Sequence, residues 1–233
     1  HTATALAGAT GYGEPRPSDA SLKVLFHVKH LPTATESLRA QVEALGLDLP
    51  RTALDRLERY EGLLLDRAVP RGLVARSDSG RLRMRHTLDC LRAARVVSGA
   101  DRRAYDVGSG AGLPGVVVAI AVPRLEIRLV EPRRVRVAFL ELVVEELGLA
   151  NAEVVAGRIE EQADPADLCF ARAFAPLQVA WNAARRVLGP AGRLVYFAGS
   201  PADDVAPLAG ATSVAVLDEP VLESSGPLII MSR

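Results

Sequence analysis

The sequence predicts an α/β protein built on a mostly parallel, seven-stranded sheet with helices on both faces, and three observations predict it. Beyond Gly99, short β-rich runs alternate with helical ones. The links between the early runs are long enough to be crossovers, which parallel strands require and hairpins do not. The first run leads directly into the glycine-rich loop of "YDVGSGAGLPGVVVAIA", and open parallel sheets bind ligands just beyond the carboxyl ends of their strands.

Taken in order, residues 1–33 mix small residues, Gly and Pro without sustained periodicity and read as a mobile extension. His27 and His30 in this arm are two isolated imidazoles, too few for a metal-ligand set. Residues 34–99 form a helical segment. Leu38, Val42 and Leu45, then Leu54, Leu57, Leu63 and Leu64, recur at helical spacing, with the Gly and Pro of "GLDLP" breaking one helix from the next. "RHTLDCLRAARVV" adds a further amphipathic helix, in which His86 and Asp89 stand three apart and read as a hydrogen-bonded pair packing that helix onto the sheet. The domain at 100–233 holds strands expected at 104–107, 126–130, 153–155, 168–171, 193–197, 213–217 and 228–232. Helices are expected at 114–121, 133–147 and 177–188. The close spacing of the last runs suggests an antiparallel finish.

The chain has 233 residues, 49% of them hydrophobic, enough for one sizeable core and too few for two equal domains. Lys plus Arg and Asp plus Glu both number 28, so the total charge neither favours nor excludes a nucleic-acid partner. Two cysteines, Cys90 and Cys169, lack both disulfide-framework and metal spacing, which points to a reducing cytoplasm and no metal. No apolar run approaches a membrane span and no signal peptide is visible, so a soluble protein is expected.

The loop after the first domain strand runs Asp106-x-Gly108-x-Gly110-x-Gly112 and then reaches Pro114, which suits a helix's first turn. Gly110 to Gly115 also matches G-x-G-x-x-G, with Glu131 about 20 residues on, so a dinucleotide remains open on the loop alone. Asp106 leans the choice. A carboxylate where a pyrophosphate would arrive is awkward, whereas it complements a cofactor carrying an ammonium and a sulfonium, S-adenosylmethionine. Glu131, ending the second strand, can only accept hydrogen bonds when ionised and suits ribose hydroxyls under either reading.

Through these residues the chain resembles a known family. "DVGSGAGLPGVVVAIAVPRLEIRLVEPRRVRVAFLELVVEELGL", then "GRIEE" and "ARAFAPL", with "FHVKH" at 26–30 and "GLVARSDSGRLRMRHTLDC" before the sheet, resemble the RsmG (GidB) methyltransferases, in their actinobacterial form. The resemblance implies a Rossmann-like class I methyltransferase fold, S-adenosylmethionine as cofactor and guanine N7 of 16S ribosomal RNA, in the small ribosomal subunit, as acceptor. It places cofactor contacts on Gly108, Leu113, Ile159, Glu160 and Arg172, beside Asp106, Gly110 and Glu131 read from the residues. Ile159 can wall an adenine face while the neighbouring backbone or Glu160 meets its amino edge. Arg172 ends an apolar run and is expected at the boundary of cofactor and substrate, and no catalytic base is assigned. Many members carry Trp-Asn and then Asn-Leu-Thr where this chain has Arg67-Ala68 and Gly72-Leu73-Val74. The family usually carries Lys where this chain has Ala198, which leaves a small nitrogen heterocycle open as an alternative acceptor; a nucleotide-binding module without methyl transfer is the other alternative.

Methylation of guanine N7 removes no proton, so the reaction asks for placement more than for a general base. Residues 67–103 carry ten arginines against Asp78, Asp89 and Asp101, and Arg133, Arg134 and Arg136 follow Glu131. Together they suit a basic rim for RNA phosphates. Aromatic residues are only 4% of the chain, with Phe174 and Trp181 the nearest to the expected cleft, so a base-stacking platform is not expected.

Overall fold

The computed structural model describes residues 21–23, 33, 35–199, 207–217 and 225–233. His27, His30 and the rest of "FHVKH" lie outside the described residues, as does most of the extension at 1–33.

All seven expected strands are present in one mixed sheet, and a short segment of the extension adds an eighth. In chain order the strands are β1 (Ser21–Lys23), β2 (Arg103–Val107), β3 (Glu126–Glu131), β4 (Ala152–Ala156), β5 (Ala166–Arg172), β6 (Leu188–Phe197), β7 (Ser213–Leu217) and β8 (Leu228–Ser232). Across the sheet they run β1-β7-β8-β6-β5-β2-β3-β4. The pairs β2–β3, β3–β4, β2–β5 and β5–β6 are parallel. The antiparallel finish is observed, with β8 inserted between β6 and β7 and antiparallel to both. β1 lies parallel on the outer edge of β7. Strand order reverses at β2, whose neighbours on either side are β3 and β5, so the crevice between the loops after β2 and β5 is the topological switch point.

Period-two alternation divides each central strand between two apolar layers. Ala104, Ile127, Leu129, Leu168 and Phe170 face one core. That core also takes in the helical segment, α1 (Leu38–Ala44), α2 (Arg51–Leu63) and α3 (Leu88–Ala94), and the crossovers α4 (Gly115–Ala121) and α5 (Arg134–Leu147). Tyr105, Val107, Val130 and Cys169 face the other, covered by α6 (Leu177–Val187) with Trp181 fully buried. Helices therefore lie on both faces, although β4 and β5 are joined only by a 3-10 turn at Ile159–Glu161.

The helical segment grips the glycine loop directly. Tyr60 on α2 is completely buried, and its hydroxyl donates to the Ala111 carbonyl at 2.7 Å. The substitution Tyr60→Phe keeps the packing but leaves a buried carbonyl without its donor. It should cost about 1–3 kcal/mol, read from urea denaturation of the full chain, and an unchanged midpoint would mean that the loop does not depend on this bond.

Candidate functional site

The loop after β2 presents backbone because the chain around it is drawn tight. Gly108 has a φ of 68°, and a Cβ there would lie 2.6 Å from Cδ2 of Phe174. At Gly115 an added Cβ would meet Asp106 Oδ2 at 2.5 Å and Leu129 Cδ2 at 2.4 Å, so only glycine lets the start of α4 approach β2 and β3 this closely. The Gly108 and Ser109 amides donate to the Val130 carbonyl at 2.9 and 3.1 Å, which ties the loop to the tip of β3.

Two acids hold the loop from below. Glu131 is 2% exposed; Oε2 accepts the Gly110 amide and Oε1 the Arg133 amide, each at 3.0 Å, while Arg136 Nη1 stands 3.6 Å from Oε2. Asp106 is 1% exposed, and its Oδ2 accepts the Gly115 amide at 3.0 Å. Burial pushes its carboxyl up to about 7 despite the Gly115 bond and the positive charge of Arg172, both of which pull the other way. The structure thus places Asp106 beneath the loop, where it shapes the turn, and not on a cavity wall.

Three cavities surround this loop. A narrow crevice of about 60 Å3 runs between Gly108, Val130, Pro132, Ile159, Glu160 and Phe174. Ile159 is buried there, and Glu160 is exposed at the rim without a hydrogen bond among the described residues. Its neighbour Glu161 is used locally, with Oε2 accepting the Arg158 amide at 3.0 Å. A second cavity, of about 210 Å3, lies over the loop against Gly108, Gly110, Leu113, Arg136, His86 and Arg172. A third, of about 650 Å3, opens beyond it between Arg85, His86, Arg172, Phe174, Tyr196 and Ala198. The Phe174 ring stands at Gly108, between the crevice and this third cavity. A further hollow of about 350 Å3 near Tyr105, Arg128 and Asp164 lies toward the opposite strand ends, away from the glycine loop.

Arg172, at the end of β5, is both paired and facing the cleft. Its Nε donates to Asp89 Oδ2 at 3.2 Å, and its Nη2 donates to the Arg85 carbonyl at 3.2 Å and meets His86 Nδ1 at 2.9 Å. His86 is not bonded to Asp89 as the spacing suggested; its Nε2 lies 3.0 Å from Asp78 Oδ2. The cause is local. Residues Arg83–Thr87 form a π turn, and the extra residue in that turn takes positions three apart off a common face. Tyr60 and Asp78, which hold the loop and His86, carried no pattern in the sequence that marked them for these roles.

The site fits S-adenosylmethionine on its own chemistry. An acceptor-only carboxylate ends β3, an apolar wall with an unbonded acid at its rim follows β4, and bare backbone lies between them. Among the described residues no cluster of three or more His, Cys, Asp or Glu could hold a metal, and no helix is long and apolar enough to cross a membrane.

Known proteins are similar to this chain in sequence and in fold. Residues 53–215 match the family model GidB, rRNA small subunit methyltransferase G. A ribosomal RNA small subunit methyltransferase G from Neisseria meningitidis serogroup C is 35% identical over 211 residues, covering 85% of this chain and 98% of that protein. One from Mycobacterium leprae is 37% identical over 190 residues, covering 75% of this chain and 76% of its own. Among solved structures, the S-adenosylmethionine-dependent methyltransferase SibL in its apo form shares the fold, with a TM-score of 0.54 at 17% identity over 84% of this chain and 73% of that one.

The raised carboxyl of Asp106 has a consequence for stability. An unfolded Asp titrates near 3.8, so the folded chain holds the proton more tightly. The stability this contributes is full below pH 3.8 and is lost as pH rises through about 7. Asparagine at 106 keeps an acceptor for the Gly115 amide without the charge. In cofactor-free melts Asp106→Asn should gain on the wild type between pH 4 and 8, whereas parallel curves would show that the carboxyl does not titrate there.

Proposed function

Because the chain belongs to the rRNA small subunit methyltransferase G family, we propose that it transfers a methyl group from S-adenosylmethionine to a guanine N7 of 16S ribosomal RNA, working in the cytoplasm on the small ribosomal subunit or its RNA. The observation that carries this reading is the match over residues 53–215, which spans the glycine loop, Glu131, Ile159 and Arg172 together with the part of the helical segment, Arg85 to Asp89, that walls the third cavity.

When bound, the cofactor supplies a methyl group activated by its positive sulfur. The chain's own part is to bind and orient. Glu131 accepts from the ribose hydroxyls with the lone pairs left over from the Gly110 and Arg133 amides. Ile159 covers the adenine face and Glu160 takes its amino edge. Gly108, Gly110 and Leu113 line the path of the amino-acid portion, with Asp106 fixing the turn beneath them. Arg172 marks the join with the acceptor, since it borders both the cavity over the loop and the larger one beyond it. Guanine N7 offers a lone pair and loses no proton, so alignment with the methyl group, and no general base, is what these residues must provide.

Ala198 favours a second reading. It lines the third cavity where the family resemblance leads one to expect a lysine, and a smaller, less basic mouth would suit a small nitrogen heterocycle. Arg85 and Arg172 line the same cavity, each paired with an aspartate that lines it too, Asp78 and Asp89, so the RNA acceptor is supported by the family match and not by the charge of this cavity.

The test supplies methyl-labelled cofactor with small ribosomal subunits, naked 16S RNA and a panel of small heterocycles. Label at guanine N7 of the RNA is expected, and label confined to the small molecules would overturn the assignment. Tight S-adenosylhomocysteine binding without NAD binding is expected as well; NAD binding in its place would point to a nucleotide-binding module. In calorimetry, Glu131→Ala should weaken the S-adenosylhomocysteine complex by about 1–3 kcal/mol, the loss of a charged acceptor. Equal affinity would place the ribose elsewhere.

A further inference from the structure

Arg172 carries a planar guanidinium with five N–H donors. Asp89 fixes Nε, and the Arg85 carbonyl and His86 Nδ1 fix Nη2, while Nη1 makes no hydrogen bond among the described residues. The plane is therefore held along one edge, and the residue lines both cavities. An arginine can only donate, so His86 Nδ1 must accept and the ring proton must sit on Nε2. Asp78 Oδ2, 3.0 Å from Nε2, is the acceptor that selects this tautomer.

We infer that His86 is a positioning residue for methyl transfer: locked by Asp78 as the Nε2–H tautomer, it holds Arg172 so that Nη1 faces the methyl acceptor. This rests on the reading that the third cavity receives the acceptor. Charge neutralisation alone would not need His86, because Asp89 already lies against the guanidinium at 3.2 Å. What the imidazole adds, beside the Arg85 carbonyl at 3.2 Å, is a further and shorter directional anchor on Nη2, at 2.9 Å, that helps set the rotation of the plane, and a displacement of about 1 Å at such a group costs up to about 100-fold in rate.

Protonation of His86 would turn an N–H toward the guanidinium and break the anchor. The charged groups facing the ring are Asp78 and Arg81 from the 3-10 turn at Arg76–Arg81, Arg85 from its own turn, Asp89 from α3, Arg172 from β5 and, across the cavity over the loop, Arg136 from α5. Burial and then Arg172 push the imidazole below its usual 6.5, against the opposing pull of Asp78. Methyl transfer should therefore be flat through neutrality and fall on the acid side, below pH 6.5.

The experiment compares wild type, His86→Ala and His86→Asn in the full chain, measuring kcat and KM for small ribosomal subunits from pH 5 to 8 and S-adenosylhomocysteine affinity by calorimetry. His86→Ala should lower kcat by at least about tenfold, a larger loss than any accompanying change in S-adenosylhomocysteine affinity. His86→Asn, whose amide oxygen can stand near the Nδ1 position without titrating, should recover part of the loss and abolish the acid limb. Nitrogen NMR of the wild-type imidazole is the second measurement, independent of any acceptor and of the folding of the variants. It should show Nδ1 bare and Nε2 protonated at pH 7. A protonated Nδ1 at that pH overturns the inference even if no RNA is methylated; so does an active His86→Ala with wild-type kcat and pH profile. Failure of the wild type to methylate RNA, with the expected tautomer present, would instead count against the proposed acceptor.

Discussion

A loop that offers bare backbone to a ligand has few side chains with which to hold itself, and here two buried carboxylates at the tips of neighbouring strands hold it. Asp106 ends near the carboxyl end of β2 and takes the Gly115 amide; Glu131 closes β3 and takes the Gly110 amide. Parallel pairing sets Asp106 opposite Leu129 and Val107 opposite Val130, so both acids arrive at the same edge of the sheet. An apolar residue in place of Asp106 would leave the buried Gly115 amide unpaired, a loss that exceeds what one hydrogen bond contributes when formed, and one in place of Glu131 would take the protein acceptor from the part-buried Gly110 amide. The two acids are not equivalent, however. Glu131 has Arg136 within 3.6 Å, while burial raises the proton affinity of Asp106 against the opposing pull of Ser109, the Gly115 amide and Arg172.

The same demand for satisfied polar groups joins the helical segment to the sheet. Tyr60 reaches the loop from α2, and Asp89, from α3, lies between Arg92 at 2.8 Å and Arg172 at 3.2 Å. Removing Asp89 would strand two guanidinium groups, one of them 2% exposed, and an unpaired buried charge is far more costly than a pair is favourable. The segment at 34–99 thus shares a continuous apolar core with α4 and α5 and also supplies the walls and the anchors of the cleft.

The sheet was legible because its signals are local: period-two runs, the glycine loop, and an acid about 20 residues downstream. Ile159 and Glu160 were reached through the family motif, and the structure puts both on the crevice. What was not legible depends on long-range geometry. Nothing in "SDSGRLRMRH" announces that Asp78 meets His86, because a 3-10 turn and a π turn bring them together and neither has a periodic signature. Asp106 was read as a counter-charge to the ligand, whereas its side chain turns under the loop, a distinction of side-chain direction that spacing does not encode. Ser21–Lys23 escaped because a three-residue edge strand pairs through its backbone and leaves little pattern in the sequence.

Formal neutrality conceals a basic exterior. Among the described residues six acids are buried, Glu61, Asp78, Asp89, Asp101, Asp106 and Glu131, against one buried arginine, Arg92. All three acids of the arginine-rich stretch 67–103 are in that set. The interior has consumed carboxylates as partners for amides and guanidinium groups, so the balance left at the surface is shifted toward arginine, above all in the segment that walls the third cavity. An equal count of 28 acids and 28 bases is thus no argument against a polyanionic acceptor, because the acids hold the fold while most of the arginines face outward. Arginine is also the cation suited to this division, since a single guanidinium can donate to a buried carboxylate along one edge and present its remaining N–H groups to a ligand along the other. Arg172 does the first through Nε, with Nη2 held by the Arg85 carbonyl and His86 Nδ1, and its Nη1 is left for the second.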